Sequence, residues 1–299
     1  MPDNTSHAAI LAEEFHENRK HVENVIMLLD DGNTVPFIAR YRKEMHGTMD
    51  DQHIREIAER LTYLRNLDRR REEIRSAVGE RGSLTEELSA ALDAASTLAA
   101  LEDIWRPFRQ KRRTRASIAR EKGLDPLARK LFLQERSGDI RVLAQAFIDP
   151  EKGVDTVEDA LAGASDIIAE QISDDASIRA CLRTLYRREA RLVSRAAVEE
   201  DSVYRMYYDY SEPLSKTQSH RVLAVNRGER EGFLKAGIEI DEAHALRDVK
   251  RMTVKPGSYA MGFVAAAAED ACRIEHDVSA ITFEKIKEHL QEEHPNFQL

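Results

Sequence analysis

The sequence predicts a mainly α-helical, multi-helix fold with one small strand-containing segment near residues 233–240. Apolar residues recur three and four positions apart along most of the chain, which is the spacing of a helix face that packs on a core. Only 13 of the 299 residues are glycine and 6% are aromatic, so an all-β fold is disfavoured. Partial alternation of apolar and polar residues from Phe233 to Ile240 favours a strand there.

The first part of the chain predicts a series of helices. Apolar residues between residues 7 and 30 have helical spacing, and Gly32 follows, where glycine commonly ends a helix. Pro36 fits the first turn of the next helix, since its missing N–H has no partner there. A long helix is then predicted from about Asp50 to Val78.

Further helices are predicted in the middle of the chain. Ser83 and Glu86 have the spacing of a capping box, which predicts the start of a helix. Gly123 marks a turn, and apolar residues after it begin another helix. Two more helices are predicted over about residues 157–172 and 176–193.

A basic stretch, from Arg109 to Arg120, interrupts an otherwise acidic chain. It carries six cations and no acid, whereas the whole chain has a net charge of -9 at pH 7, and Trp105 and Phe108 precede it. Cations beside aromatic rings suit phosphate neutralisation and base stacking, but arginines can equally pair with glutamates of neighbouring helices. The candidate phosphate contacts are Arg109, Lys111, Arg112, Arg113, Arg115 and Arg120, with Arg40, Arg42 and Lys43 as a second basic patch.

Two further features could belong to a nucleic-acid site. Ala119 and Gly123 have the spacing of the first helix and turn of a helix-turn-helix, but Arg129 stands where that motif has an apolar residue. Four tyrosines fall within seven residues and could stack bases, although such clusters more often pack together. We expect packing for these four residues, Tyr204, Tyr207, Tyr208 and Tyr210.

The sequence contains no recognised catalytic or cofactor motif. A Gly-rich phosphate loop, Cys-x-x-Cys and His-Glu-x-x-His are all missing, so we expect no enzyme activity, cofactor or metal. The acids and histidines between residues 44 and 53 are expected to include a helix cap, at Thr48 or Asp50, in preference to a metal site. Two cysteines, no secretory signal and no apolar run of about 20 residues predict a cytoplasmic protein without a membrane segment.

Six segments, in the same order, match one known family. They are LLDDGNTVPFIARYRKE (28–44), YLRNL (63–67), LEDIWRP (101–107), KRRTRA (111–116), EPLS (212–215) and SHRVLAVNRG (219–228). Together they resemble the Tex family of bacterial RNA-binding transcription accessory proteins. The resemblance implies a helical N-terminal region with helix-turn-helix character, followed in full-length members by RNase H-like, helix-hairpin-helix and S1 domains. Members are regarded as non-enzymatic, and the S1 domain is their main RNA-binding element.

The chain departs from that family in length. It ends at Leu299 without an S1 signature, and we expect it to be an N-terminal portion. The expected domains are a helical Tex-like domain over residues 1–195 and a mixed helix and strand segment over 196–299. The resemblance implies a transcription accessory protein that contacts RNA or DNA in an auxiliary way. The alternative is a scaffold that docks RNA polymerase or other transcription machinery without binding nucleic acid.

Overall fold

The computed structural model describes residues 4–109 and 113–278, which form two compact units. The first unit ends at Ile104 and the second begins at Trp105. The predicted phosphate contacts Lys111 and Arg112 lie outside the described residues, as does the end of the chain from residue 279. The domain boundary expected after residue 195 falls within the second unit and stays a prediction.

The first unit is built from helices around an aliphatic core. The long predicted helix is confirmed as α5, and its apolar positions Ile54, Ile57 and Leu61 are buried against Ile26 and Ile38. This burial of one helix face follows directly from the three-and-four spacing in the sequence. The helices are α1 (Asn4–Glu14), α2 (Arg19–Asp30), α3 (Val35–Tyr41), α4 (Lys43–His46), α5 (Asp51–Glu80), α6 (Glu86–Ala94) and α7 (Leu98–Trp105).

Arginines on the outer side of α5 pair with carboxylates of other helices. Arg65 makes two hydrogen bonds to Asp30 at the end of α2, at 2.6 and 2.8 Å. Arg60 donates two more, to Glu14 of α1, at 2.8 and 2.7 Å. Bidentate arginine–carboxylate contacts have a fixed geometry, so these side chains hold α1 and α2 on α5.

The helix predicted to start at Ser83 begins two residues later. Thr85 is the N-cap of α6, and its Oγ1 accepts a hydrogen bond from the Leu88 N–H at 3.2 Å. The capping box predicted for Ser83 and Glu86 is therefore wrong. Two hydroxyl residues stand close together at this helix start, and spacing alone does not show which one caps the helix.

The second unit has a core centred on one helix, α11. Its residues Ile167 and Ile168 are fully buried, and Gly163 lets Ala119 of α8 and Leu124, in the turn before α9, approach closely. The helices of this unit are α8 (Arg115–Glu121), α9 (Asp125–Leu133), α10 (Ile140–Gln145), α11 (Val157–Asp174), α12 (Ala176–Glu189), α13 (Ser219–Arg230), α14 (Glu242–Thr253) and α15 (Met261–Val278).

The same unit contains an antiparallel sheet of three strands, β1 (Arg191–Ala196), β2 (Asp209–Pro213) and β3 (Leu234–Glu239), in the order β2-β1-β3. β3 confirms the predicted strand. The helix predicted to reach residue 193 ends at Glu189, and β1 begins two residues later, at Arg191. The two inward positions of β1 are Leu192 and Ser194, and a buried serine hides the alternation that predicts a strand.

Candidate nucleic-acid interface

Two arginines of the basic stretch are already paired with carboxylates of the second unit. Arg115 lies 2.8 Å from Asp270 on α15 and 3.4 Å from Asp166 on α11. Arg120 lies 2.5 Å from Glu170 on α11. These contacts tie α8 to α11 and α15. For these two arginines the structure shows the helix-pairing role that the sequence left open as an alternative to phosphate contact.

The carboxylate beside Arg115 shows why this charge is needed within the fold. Burial raises the pKa of Asp166, the cation of Arg115 opposes that rise, and the neighbouring charge of Asp270 adds to it. Arg115 therefore stands between two carboxylates that repel each other. Its side chain is 62% exposed, but both carboxylates hold its cation, which leaves less of the charge for a phosphate.

Two other cations of the basic stretch are more available. Arg109 is exposed, and no ion pair of its guanidinium is found among the described residues. Arg113 is 73% exposed and lies 3.8 Å from Glu121, which is 66% exposed, and an ion pair this long and this exposed contributes little. Within the described part of the stretch, these two residues are the better candidates for phosphate contact.

The different roles of these arginines predict different effects on stability. Arg120→Ala removes a hydrogen-bond donor from Glu170, whose side chain is only 13% exposed, so we expect the free energy of unfolding to fall by about 1–2 kcal/mol. Arg113→Ala should change it by less than about 0.5 kcal/mol. Urea denaturation followed by the fluorescence of Trp105, the only tryptophan, measures both. Equal losses in the two variants would contradict these roles.

The second basic patch lies on the first unit, where α3 meets α4. Arg40, Arg42 and Lys43 are all exposed, and within residues 4–109 and 113–278 none of them forms an ion pair. Arg42 leaves the helical conformation, with φ -128° and ψ 32°, so α3 ends and α4 begins at this residue. Buried Ile38 anchors α3 in the core. Three cations are thus presented to solvent without neutralising partners.

Two aromatic rings accompany this patch. Phe37 and Tyr41 stand one helical turn apart on α3, with ring centroids 5.3 Å apart, and are 37% and 60% exposed. The guanidinium of Arg42 lies 5.7 Å from the centroid of the Phe37 ring. No sequence motif singled out these two aromatics. The spacing gives no signal of their exposure, because Tyr41, at i+3 from the buried Ile38, lies on the same side of the helix by periodicity alone.

The four clustered tyrosines pack together, as expected. Tyr204 and Tyr207 are buried, and the other two pack partly buried against the same cluster with Val225 and Leu234. Tyr210 donates a hydrogen bond to Glu212, and burial together with this carboxylate raises the pKa of Tyr210 to about 12. The rings of this cluster therefore serve the core of the second unit.

The predicted helix-turn-helix residues lie on two short helices joined by a turn. Ala119 is buried on α8, and Gly123 has a φ of +84°, which favours glycine over other residues in the turn before α9. Arg129, which stands at the position where the motif has an apolar residue, is exposed and pairs with Asp125 at 2.7 Å. A DNA-binding role for α8 and α9 stays a prediction.

The acids and histidines near residue 50 contain the expected helix cap. Asp50 is the N-cap of α5, and its Oδ1 accepts a hydrogen bond from the His53 N–H at 2.8 Å. His46 is buried, and neither ring nitrogen has a hydrogen-bond partner among the described residues. The part of the chain that is described contains no group of three or more His, Cys, Asp or Glu placed to hold a metal. No helix among those residues is long and apolar enough to cross a membrane.

The fold and its surfaces define a mainly helical protein with two units, a small antiparallel sheet and exposed basic patches. Its sequence matches the model of the Tex-like protein N-terminal domain over residues 5–79 and that of the Tex central region over residues 135–294. The chain belongs to the Tex family.

Named relatives support the same assignment. The chain is 43% identical to the uncharacterized protein YdcI of Bacillus subtilis over 82% of its own length, and 40% identical to the transcriptional accessory protein Tex of Neisseria gonorrhoeae over 77%. It is 30% identical over 73% of its length to the human S1 RNA-binding domain-containing protein 1. These matches cover 35%, 30% and 23% of the respective relatives, so the chain spans about a third of their length or less.

Proposed function

We propose that this chain serves a Tex-type transcription accessory protein by contacting RNA or DNA through its exposed cations, without acting as an enzyme. The family and the names of two relatives, a transcriptional accessory protein and an S1 RNA-binding domain-containing protein, support the proposal. The observation that carries it is the patch on α3 and α4, where Arg40, Arg42 and Lys43 are exposed and make no ion pair among the described residues.

Other arginines of the chain differ from this patch because they are paired with carboxylates. Arg60, Arg65 and Arg120 hold carboxylates at 2.5–2.8 Å and so are matched within the fold. An unpaired surface cation keeps its full charge for an external anion, and neutralising a phosphate releases counterions from the nucleic acid. In a chain of net charge -9, three neighbouring cations that form no ion pair with the described residues favour a local anionic ligand.

A titration at two salt concentrations tests the proposal. We expect this chain to bind an unstructured single-stranded RNA or a DNA duplex at 50 mM salt, measured by fluorescence anisotropy. With three to five phosphates neutralised on single-stranded RNA, raising the salt to 200 mM should weaken binding about 20- to 100-fold. Failure to bind either nucleic acid at 50 mM salt would overturn the proposal.

A docking scaffold is the second candidate, and exposed apolar residues favour it. Val203 and Met206, in the connection between β1 and β2, are 87% and 73% exposed. Contiguous exposed apolar surface marks protein-binding sites, and these two residues stand three positions apart in the same connection. If the titration shows no nucleic-acid binding while the chain binds purified RNA polymerase in interferometry, docking becomes the better account.

A further inference from the structure

We propose that the outward face of α3 is a stacking platform for unpaired bases, so that this patch binds single-stranded nucleic acid in preference to a duplex. This inference rests on the proposed function and adds to it a substrate class and two residues, Phe37 and Tyr41. The platform consists of these two rings and the cations that surround them, Arg40, Arg42 and Lys43.

Both aromatic rings of the platform are exposed. Phe37 is 37% exposed and Tyr41 is 60% exposed, whereas Tyr204 and Tyr207 are 6% and 7% exposed in the core of the second unit. An exposed aromatic ring forgoes the favourable burial of its surface. Two such rings in contact on one short helix therefore leave aromatic surface accessible to a ligand, most of it on Tyr41.

The two rings lie in contact with each other. Tyr41 follows Phe37 by one helical turn, and the two planes are tilted by 42° at a centroid distance of 5.3 Å. This distance is too short for a base to enter between them, so a base would stack on an outer face. The guanidinium of Arg42 lies over the Phe37 ring, 5.7 Å from its centroid, and adds a planar group to the surface on which a base can also stack.

Positive charges stand next to the rings in the sequence. Arg40 precedes Tyr41, and Arg42 and Lys43 follow it, so cations flank the ring on both sides in the chain. The nearest acid in the sequence is Glu44, and in the part of the chain that is described none of the three cations pairs with it or with any other carboxylate. A single strand offers bases and phosphates together, whereas a duplex offers phosphates and covers its base faces. An acidic peptide would match the cations but leave the rings unused.

Removing the rings while keeping the charges tests the platform. In the double variant Phe37→Leu and Tyr41→Leu, we expect affinity for a 20-nucleotide oligouridine RNA to fall at least about tenfold, since each stacked base contributes substantially. Affinity for a DNA duplex should change less than about threefold. The salt dependence of RNA binding should keep its slope because the phosphate contacts remain. Met27→Ala, at another exposed apolar residue of the first unit, is the matched control and should bind RNA like the parent.

The outcomes separate this inference from the proposed function. Unchanged RNA affinity in the double variant, with a parent that binds, would overturn the platform and leave the proposed function standing. Equal losses for RNA and duplex would also overturn it. A parent that binds neither nucleic acid would remove both. An oligoglutamate peptide that binds the parent more tightly than the RNA does would identify a protein ligand and overturn the platform. A thermal melt by circular dichroism confirms that each variant is folded.

Discussion

Replacing Arg40, Arg42 and Lys43 together by glutamine is expected to abolish most of the affinity of this chain for single-stranded RNA. If each cation neutralises one phosphate, counterion release alone predicts a loss of up to about 500-fold at 50 mM salt and about 30-fold at 200 mM. The side chains are exposed and form no ion pairs within the described residues, so the fold should lose little stability. Fluorescence anisotropy at both salt concentrations measures the loss.

A control with the same change of charge shows whether position matters. Three arginines of the first unit lie 2.9, 2.9 and 2.6 Å from a carboxylate, and replacing them by glutamine should weaken RNA binding less than about threefold. The control residues are Arg19, Arg55 and Arg70, whose partners are Glu23, Asp51 and Glu102. Similar losses in the two triple variants would mean that net charge, and not the patch, determines binding.

The second large effect is expected on stability, from Gly163→Val in α11. A Cβ at this position would lie 2.4 Å from Cδ1 of Leu124 and 3.2 Å from Cβ of Ala119, and the valine adds two methyl groups. Leu124 is buried, so its side chain cannot simply swing into solvent. We expect the free energy of unfolding to fall by about 3 kcal/mol in urea denaturation, because overpacking forces α8 away from α11.

A second glycine in the same unit provides the matched control. Gly262, on α15, has no heavy atom within 4 Å of the position of an added Cβ. Gly262→Val should therefore change stability by less than about 1 kcal/mol, since valine forms helix slightly better than glycine does. Adding Leu124→Ala to Gly163→Val should restore part of the free energy of unfolding that Gly163→Val loses. Equal stability of the two valine variants would contradict the close packing of α8 on α11.

Helices and turns with a local cause could be predicted from the sequence. The regular spacing of Ile54, Ile57 and Leu61 predicted α5 because one face of a long helix meets a single core. Gly32 and Gly123 follow helices with φ of +81° and +84°, a conformation that favours glycine. These features depend on neighbours along the chain, which the sequence lists directly.

Features that depend on distant residues could not be predicted in the same way. β1 was missed because its pairing with β2 and β3 makes Ser194 an inward residue, and nothing near it in the sequence shows this. The cations of the basic stretch could be read from the sequence, but their partners could not. Arg115 meets Asp270, which lies 155 positions further along the chain.

The candidate site has features of both kinds, some that the sequence shows and some that depend on packing. Its cations stand out against the acidic chain, and the sequence selected Arg40, Arg42 and Lys43 for that reason. The exposure of Phe37 and Tyr41 depends on which side of α3 meets the core, and that side is set by packing around Ile38. A phenylalanine is ordinarily assigned to a core, so composition alone points the wrong way.

The salt dependence of RNA binding tests the central claim most directly. The slope of log affinity against log salt counts the phosphates that the protein neutralises, at about 0.7 per phosphate on a single strand. Replacing Arg40, Arg42 and Lys43 by glutamine should make that slope shallower by about 2, while the control variant at Arg19, Arg55 and Arg70 keeps the parent slope. A parent slope retained by the Arg40, Arg42 and Lys43 variant would contradict phosphate contact by this patch.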